Sequence, residues 1–162
     1  MMKALESKNM DTDQRSSFSP EHLIFQMRES YQEFFSACER LSSQQALKPG
    51  VCGDWSAKAI VDHLTGWQHE SLFIVETLLA ADQPNFDPDI DAFNQSSVIS
   101  RQNLTWEESL AAFKRSFDRF VQDMEGISDS QLRNNTRLTV WLKAMIHEYQ
   151  HHLAQIQKTQ EF

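Results

Sequence analysis

Apolar residues recur every three to four positions through most of this chain, the spacing of one helix face rather than the alternation of a strand. From Ser19, "SPEHLIFQMRESYQEFFSACERLS" opens with a Ser-Pro entry signal. It then carries Leu23, Met27, Tyr31, Phe34, Phe35 and Cys38 at helical intervals. "LKPGVCGDW" interrupts that pattern with Pro49, Gly50 and Gly53. A second helix is predicted over 55–80, with its stripe at Ala57, Ile60, Leu64, Trp67, Ile74 and Leu78. "ADQPNFDPD" ends it, and a shorter helical piece follows at 91–102.

Thr105 and Glu108 stand in capping-box spacing before Leu110, Phe113, Phe117, Phe120 and Met124, with Gly126 as the stop. "SDSQL" reads as a small capped turn. The last helix is predicted over 137–159, with Leu138, Leu142, Met145, Tyr149, Leu153 and Ile156 on its core face. Four long amphipathic helices without a convincing strand make an all-α four-helix bundle. The link between the second and third long helices, about 23 residues, is long enough for an overhand crossover that leaves those helices parallel; short links favour antiparallel neighbours elsewhere.

Composition agrees. The chain has 162 residues, 40% of them hydrophobic and only four Gly and four Pro, which suits one helical domain. Residues 1–18 are polar and aperiodic and are expected to form a flexible tail ahead of a single domain at 19–162. Fifteen basic against 23 acidic residues give a net charge of −8, which sets nucleic acid and anionic membranes aside as partners. No apolar run reaches membrane-spanning length, and no signal peptide is visible. Cys38 and Cys52 form no CxxC pattern, and two isolated thiols fit a cytoplasmic chain.

The candidate chemistry lies in "HEYQHHLAQI", residues 147–156. It contains HExxH, the spacing of zinc proteases. At about 100° per residue, however, His147 and His151 fall opposite the core face. The positions where a metzincin would continue with Gly and His hold Ala154 and Gln157. Glu148, His152 and Gln155 lie instead along one flank of the core face. On the second helix His63 and Glu70 share a flank two turns apart, while His69 points elsewhere. If the flanks face each other, His63, Glu70, Glu148, His152 and Gln155 line one polar cavity. Two imidazoles and a carboxylate suit Zn, Ni, Fe or Mn and leave positions open for substrate. The same residues also allow a structural ion-pair network, and the three readings (metal site, metal-free ligand pocket, structural cluster) stay open on spacing alone.

"GDWSAKAIVDHLTGWQHE", "DIDAFNQSSV" and "HHLAQI", in that order, resemble the motifs of the DinB-like four-helix bundle superfamily, most closely its DfsB/ClbS-type branch. The resemblance spans about residues 20–158. It implies an overhand bundle, frequently dimeric, with a divalent metal in many members. Activities among relatives include S-transfer, isomerisation and resistance to a reactive small molecule. The second-helix His of the family falls on His63. In the last-helix pattern H-x-x-x-H-x-x-Q-I the second His falls on His152 and the first on Glu148, a departure from the pattern. The resulting expectation is a metal-dependent hydrolase, transferase or detoxification protein. His63, Glu148 and His152 are its metal ligands, Glu70 its general base or outer-shell partner, and Gln155 an orienting residue. Asn94 would close the cavity from the linking segment. The alternative is a metal-free module that binds or sequesters a small ligand.

Overall fold

The computed structural model describes residues 19–80 and 89–160, so the expected tail at 1–18 lies outside the described residues, as does most of the segment expected to end the second helix. Four long helices form the frame: α1 (Pro20–Glu39), α3 (Ala57–Leu79), α5 (Trp106–Glu125) and α7 (Thr136–Gln160). Three short ones sit in the connections: α2 (Ser43–Ala46), α4 (Ile90–Ile99) and α6 (Asp129–Arg133). The expected starts shift by one or two residues, because capping fixes them, and α4 ends three residues before its expected end. Ser56, rather than Trp55, caps α3 by accepting from the Ala59 amide. Ser19 caps α1, and Thr105 and Glu108 close the capping box of α5.

Cross-helix contacts give the directions. Ser109 meets Asp62 and Ser116 meets Gln68, so α3 and α5 run parallel. Gln150 meets Ser30 and Gln160 meets the Ala37 carbonyl, so α1 and α7 run parallel as well. The pairs oppose each other: Arg28 bonds Glu125 across α1 and α5, and Asn135 bonds the Leu78 carbonyl where α7 begins and α3 ends. The link from α3 to α5 is therefore the overhand crossover. The helices joined by shorter links, α1 with α3 and α5 with α7, are antiparallel as expected. Their main packing is not with each other, however: α1 packs on α7 and α5, and α3 on α5, α4 and α7.

An aromatic core fills the centre. Phe34, Phe113, Phe120 and Tyr149 are fully buried, and Tyr31 stacks on Phe117 with ring centroids 3.6 Å apart. Each such ring removes a large apolar area from water.

Helix α3 is buried on more of its circumference than its apolar stripe predicts. Lys58, Asp62, His63, Thr65, Gln68 and Ser71 are all buried. Asp62 and Gln68 face α5, His63 faces α7, and the crossover covers a further side, since α4 packs along the face that an ordinary bundle helix gives to solvent. Gly66 permits that approach. A Cβ there would lie 2.6 Å from the Ser97 Cβ, closer than side chains pack. Trp67 completes the contact, its ring 4.3 Å from Phe93 and its indole N–H donating to the Asn94 amide oxygen at 2.8 Å. Asn94 thus fastens the crossover to α3 through Trp67. Gly66→Val is expected to push α4 away and destabilise the protein by about 1–3 kcal/mol. Urea denaturation followed by tryptophan fluorescence measures both effects, and an unchanged midpoint would refute the close approach.

Candidate metal centre

Two turns into α3, His63 faces α7, where Glu148 and His152 stand one helical turn apart. The His63 Nε2 lies 3.6 Å from Glu148 Oε2, and His152 Nε2 lies 3.4 Å from the same oxygen. One candidate ligand atom from each residue falls within 4.8 Å of the other two. The imidazole rings are 5.6 Å apart and nearly perpendicular. Both histidines are buried, whereas the Glu148 side chain keeps 40% of its surface in contact with solvent. Beside His152 first and His63 second, the Glu148 carboxyl is held well below the usual carboxylate range.

Gln155 supports the cluster from one turn further along α7. Its Oε1 lies 2.7 Å from His152 Nδ1, and its Nε2 donates to Cys52 Sγ at 3.3 Å and lies 3.1 Å from His151 Nε2. With the amide nitrogen directed at sulfur and at His151, the amide oxygen is the atom that meets His152. In the neutral ring it accepts the Nδ1 proton and leaves Nε2 unprotonated to meet a cation beside Glu148, whereas a ring protonated on both nitrogens donates Nε2–H to Glu148. Gln155→Leu removes that acceptor and leaves Glu148 as the polar neighbour of the ring, so the proton is expected to move largely to Nε2. Nitrogen chemical shifts of the His152 ring report the tautomer, and an unaltered Nδ1–H form in the variant would contradict this role.

The structure does not bring Glu70 into the cluster. Seven residues at 1.5 Å per residue place it about 10 Å along α3 from His63, beyond reach of atoms gathered around that ring. His147 and His151 are exposed on the outer face of α7, with ring centroids 6.0 Å apart. The HExxH pair therefore faces away from His63.

Two neighbours of the cluster escape a reading by helical period. The Trp55 ring packs 5.1 Å from the His63 ring, and Cys52 reaches Gln155. Both belong to the turn before α3, where an antiparallel bridge joins Cys52 to Trp55. Their sequence signal is the Gly53 between them, in "VCGDW", which marks a tight turn but not its target.

The sequence profile of the DinB superfamily matches residues 26–156, and so takes in all four long helices and the whole cluster. The chain belongs to the DinB superfamily. Among solved structures, this DinB-superfamily chain is similar to the colibactin self-resistance protein ClbS in complex with a dsDNA. Identity is 19%, the TM-score 0.76, and 88% of this chain and 96% of that one are covered. It is also similar to the sibling lethal factor precursor DfsB, at 16% identity and a TM-score of 0.75, over 88% of this chain and 95% of that one. Both are likenesses of fold, and they agree with the DfsB/ClbS-type branch of the superfamily. No curated protein sequence matches.

The ClbS complex corrects one expectation. Setting nucleic acid aside on a net charge of −8 does not hold, because a neighbour with this fold is seen on dsDNA. Net charge is summed over the whole surface, whereas phosphates are met by a few local lysines and arginines. Among the described residues no helix is long and apolar enough to cross a membrane.

Proposed function

We propose that His63, Glu148 and His152 hold a divalent metal, and that the protein is a metal-dependent hydrolase or transferase acting on a small reactive molecule. The observation that carries this reading is the convergence of two imidazole Nε2 atoms on one carboxylate oxygen. Tetrahedral ligands at about 2.1 Å from an ion stand about 3.4 Å from one another. The separations of 3.4 and 3.6 Å from Glu148 match that spacing, and all three candidate atoms lie within 4.8 Å of one another, so the donor set fits in type and the two contacts to Glu148 fit in distance. Imidazole with carboxylate suits Zn, Ni, Mn or Fe. A bound ion would supply Lewis acidity to a substrate carbonyl or leaving group.

The residues themselves do the rest. Gln155 holds the His152 tautomer that leaves Nε2 unprotonated. Glu148, ionised and half-exposed, offers negative charge at the one side of the cluster that solvent reaches. Trp55 packs on His63 and limits water on the buried side. The likeness to a self-resistance protein supports a small reactive molecule as substrate.

A second reading, a metal-free binding module, draws on His63. Its Nδ1 is buried and has no hydrogen-bond partner among the described residues. With metal on Nε2, that nitrogen carries an unpaired N–H, at a cost of about 1–3 kcal/mol. Without metal, Nε2–H faces Glu148 and Nδ1 is only an unpaired acceptor.

Elemental analysis separates the two. Protein produced in metal-supplemented medium and desalted is expected to carry about one equivalent of divalent ion per chain. Removing it with chelator is expected to lower the melting temperature, since a ligand at 100 times its Kd stabilises by about 2.7 kcal/mol. Metal-free protein whose melting is unmoved by added Zn, Ni or Mn would leave the binding module. The same protein titrated with labelled duplex DNA at two salt concentrations shows whether the ligand of the ClbS neighbour extends to this chain.

A further inference from the structure

A cavity of about 780 Å³ opens at the end of the bundle nearest the cluster, between the segment after α1, the turn before α3 and the last turns of α7. That volume is in the range of small-molecule sites. Its shape is fixed by backbone that ordinary residues avoid: Gly50 has φ of 101° and Gly53 φ of 57°. The Val51 amide then donates to the Trp55 carbonyl at 2.9 Å and closes the turn. Cys52 and Gln155 line the cavity, and Gln155 is the residue that bonds His152 Nδ1. A ligand seated there is one side chain away from the cluster.

The charge of the lining is opposite to that of the protein. Lys48 and Lys158 border the cavity, and none of the described residues lining it is acidic, in a chain with a net charge of −8. Neither lysine is ion-paired with a carboxylate among the described residues. Leu41 and Val51 supply apolar wall. Two ammonium groups at the rim of a partly apolar pocket select a ligand with a negative end and a hydrophobic body, because the acidic surface elsewhere repels such a ligand.

We infer that this end cavity binds a small organic anion, its carboxylate or phosphate held by Lys48 and Lys158 and its body directed toward Cys52 and Gln155. The inference extends the metal-centre reading by naming the ligand class. Binding at the lysines needs no metal, however, so each can fail without the other.

The test uses three probes of one shape: 2-naphthoate, 2-naphthyl phosphate and the neutral 2-naphthamide. Each is titrated by calorimetry into full-length protein, first with chelator and then with one equivalent of zinc. Both anions are expected to bind at least about tenfold more tightly than the amide, with and without zinc. Whichever anion binds more tightly identifies the acid group. K48Q/K158Q, with both changes at exposed positions, is expected to remove that preference and leave amide binding unchanged. Equal affinity for the anions and the amide, or an anion preference that survives in K48Q/K158Q, overturns the inference. Anion binding seen only with zinc also overturns it, since the metal and not the lysines would then be the anion site. Failure of zinc to bind bears on the metal centre alone.

Discussion

Asp62→Ala is expected to remove about 3–5 kcal/mol of stability, a large share of what a domain of this size has. The reason lies in what remains. Lys58 Nζ is 2.6 Å from Asp62 Oδ2, and the two side chains keep only 7% and 1% of their surface exposed. Once the carboxylate is gone, the ammonium stays buried with the Arg101 carbonyl, at 3.0 Å, as its remaining partner. Ser109 loses its acceptor in the same step, since its hydroxyl donates to Asp62 Oδ1 at 2.7 Å. Removing both charges is a different case. Lys58→Met with Asp62→Leu leaves no uncompensated ion and is expected to recover most of the loss. Urea denaturation of the single and double variants gives the coupling directly. A single variant within about 0.5 kcal/mol of wild type would show that water reaches Lys58 and that the pair contributes little.

His152→Ala is expected to take the metal content from about one equivalent per chain to below about a tenth. Loss of a group that merely orients a ligand weakens a metal site about 10–100-fold, and loss of the ligand itself weakens it more. Helix α7 keeps its packing through Leu138, Leu142, Met145, Tyr149 and Ile156, so the helical circular dichroism is expected to persist. Glu148 is the sharper case. Glu148→Gln removes the negative charge while preserving shape and is expected to release most of the metal. Glu148→His installs the imidazole of the family's H-x-x-x-H pattern, one turn from His152, and is expected to retain it. Full metal in His152→Ala, or equal loss in both Glu148 variants, would sink the cluster as the binding centre.

Three of the long helices were legible because their apolar stripes match their buried faces. Phe113, Phe117, Phe120 and Met124 on α5 read from spacing as they pack. On α7, the same angular reading separates buried His152 from exposed His147 and His151, and so redirects attention from HExxH. Helix α3 was less legible. Its polar residues break the apolar stripe, yet Asp62 and Gln68 are met by serines of α5, His63 faces α7, and the crossover, through Gly66 and Trp67, covers a further face. Glu70 shows a second limit. Periodicity gives the angle of a side chain about its helix but not the height at which a partner arrives. A residue on the correct flank can therefore stand two turns from the site. Cys52 and Trp55 have no period to read, because a glycine turn places them.

The pairing of α1 with α7 sets an order of events during synthesis. Gln160 bonds the Ala37 carbonyl across 123 positions of sequence, and Gln150 reaches Ser30 across 120. Contacts so distant in sequence form late, because the intervening chain must close first. Glu148 and His152 ride on that last helix, whereas His63 is translated long before them. A nascent chain still lacking α7 would hold α1 without its main neighbour and His63 without either companion. The apolar face of α1 would meanwhile stand open to chaperones or to other nascent chains. A chain ending between residues 126 and 136 lacks α7 altogether and is therefore expected to aggregate more readily than the full chain.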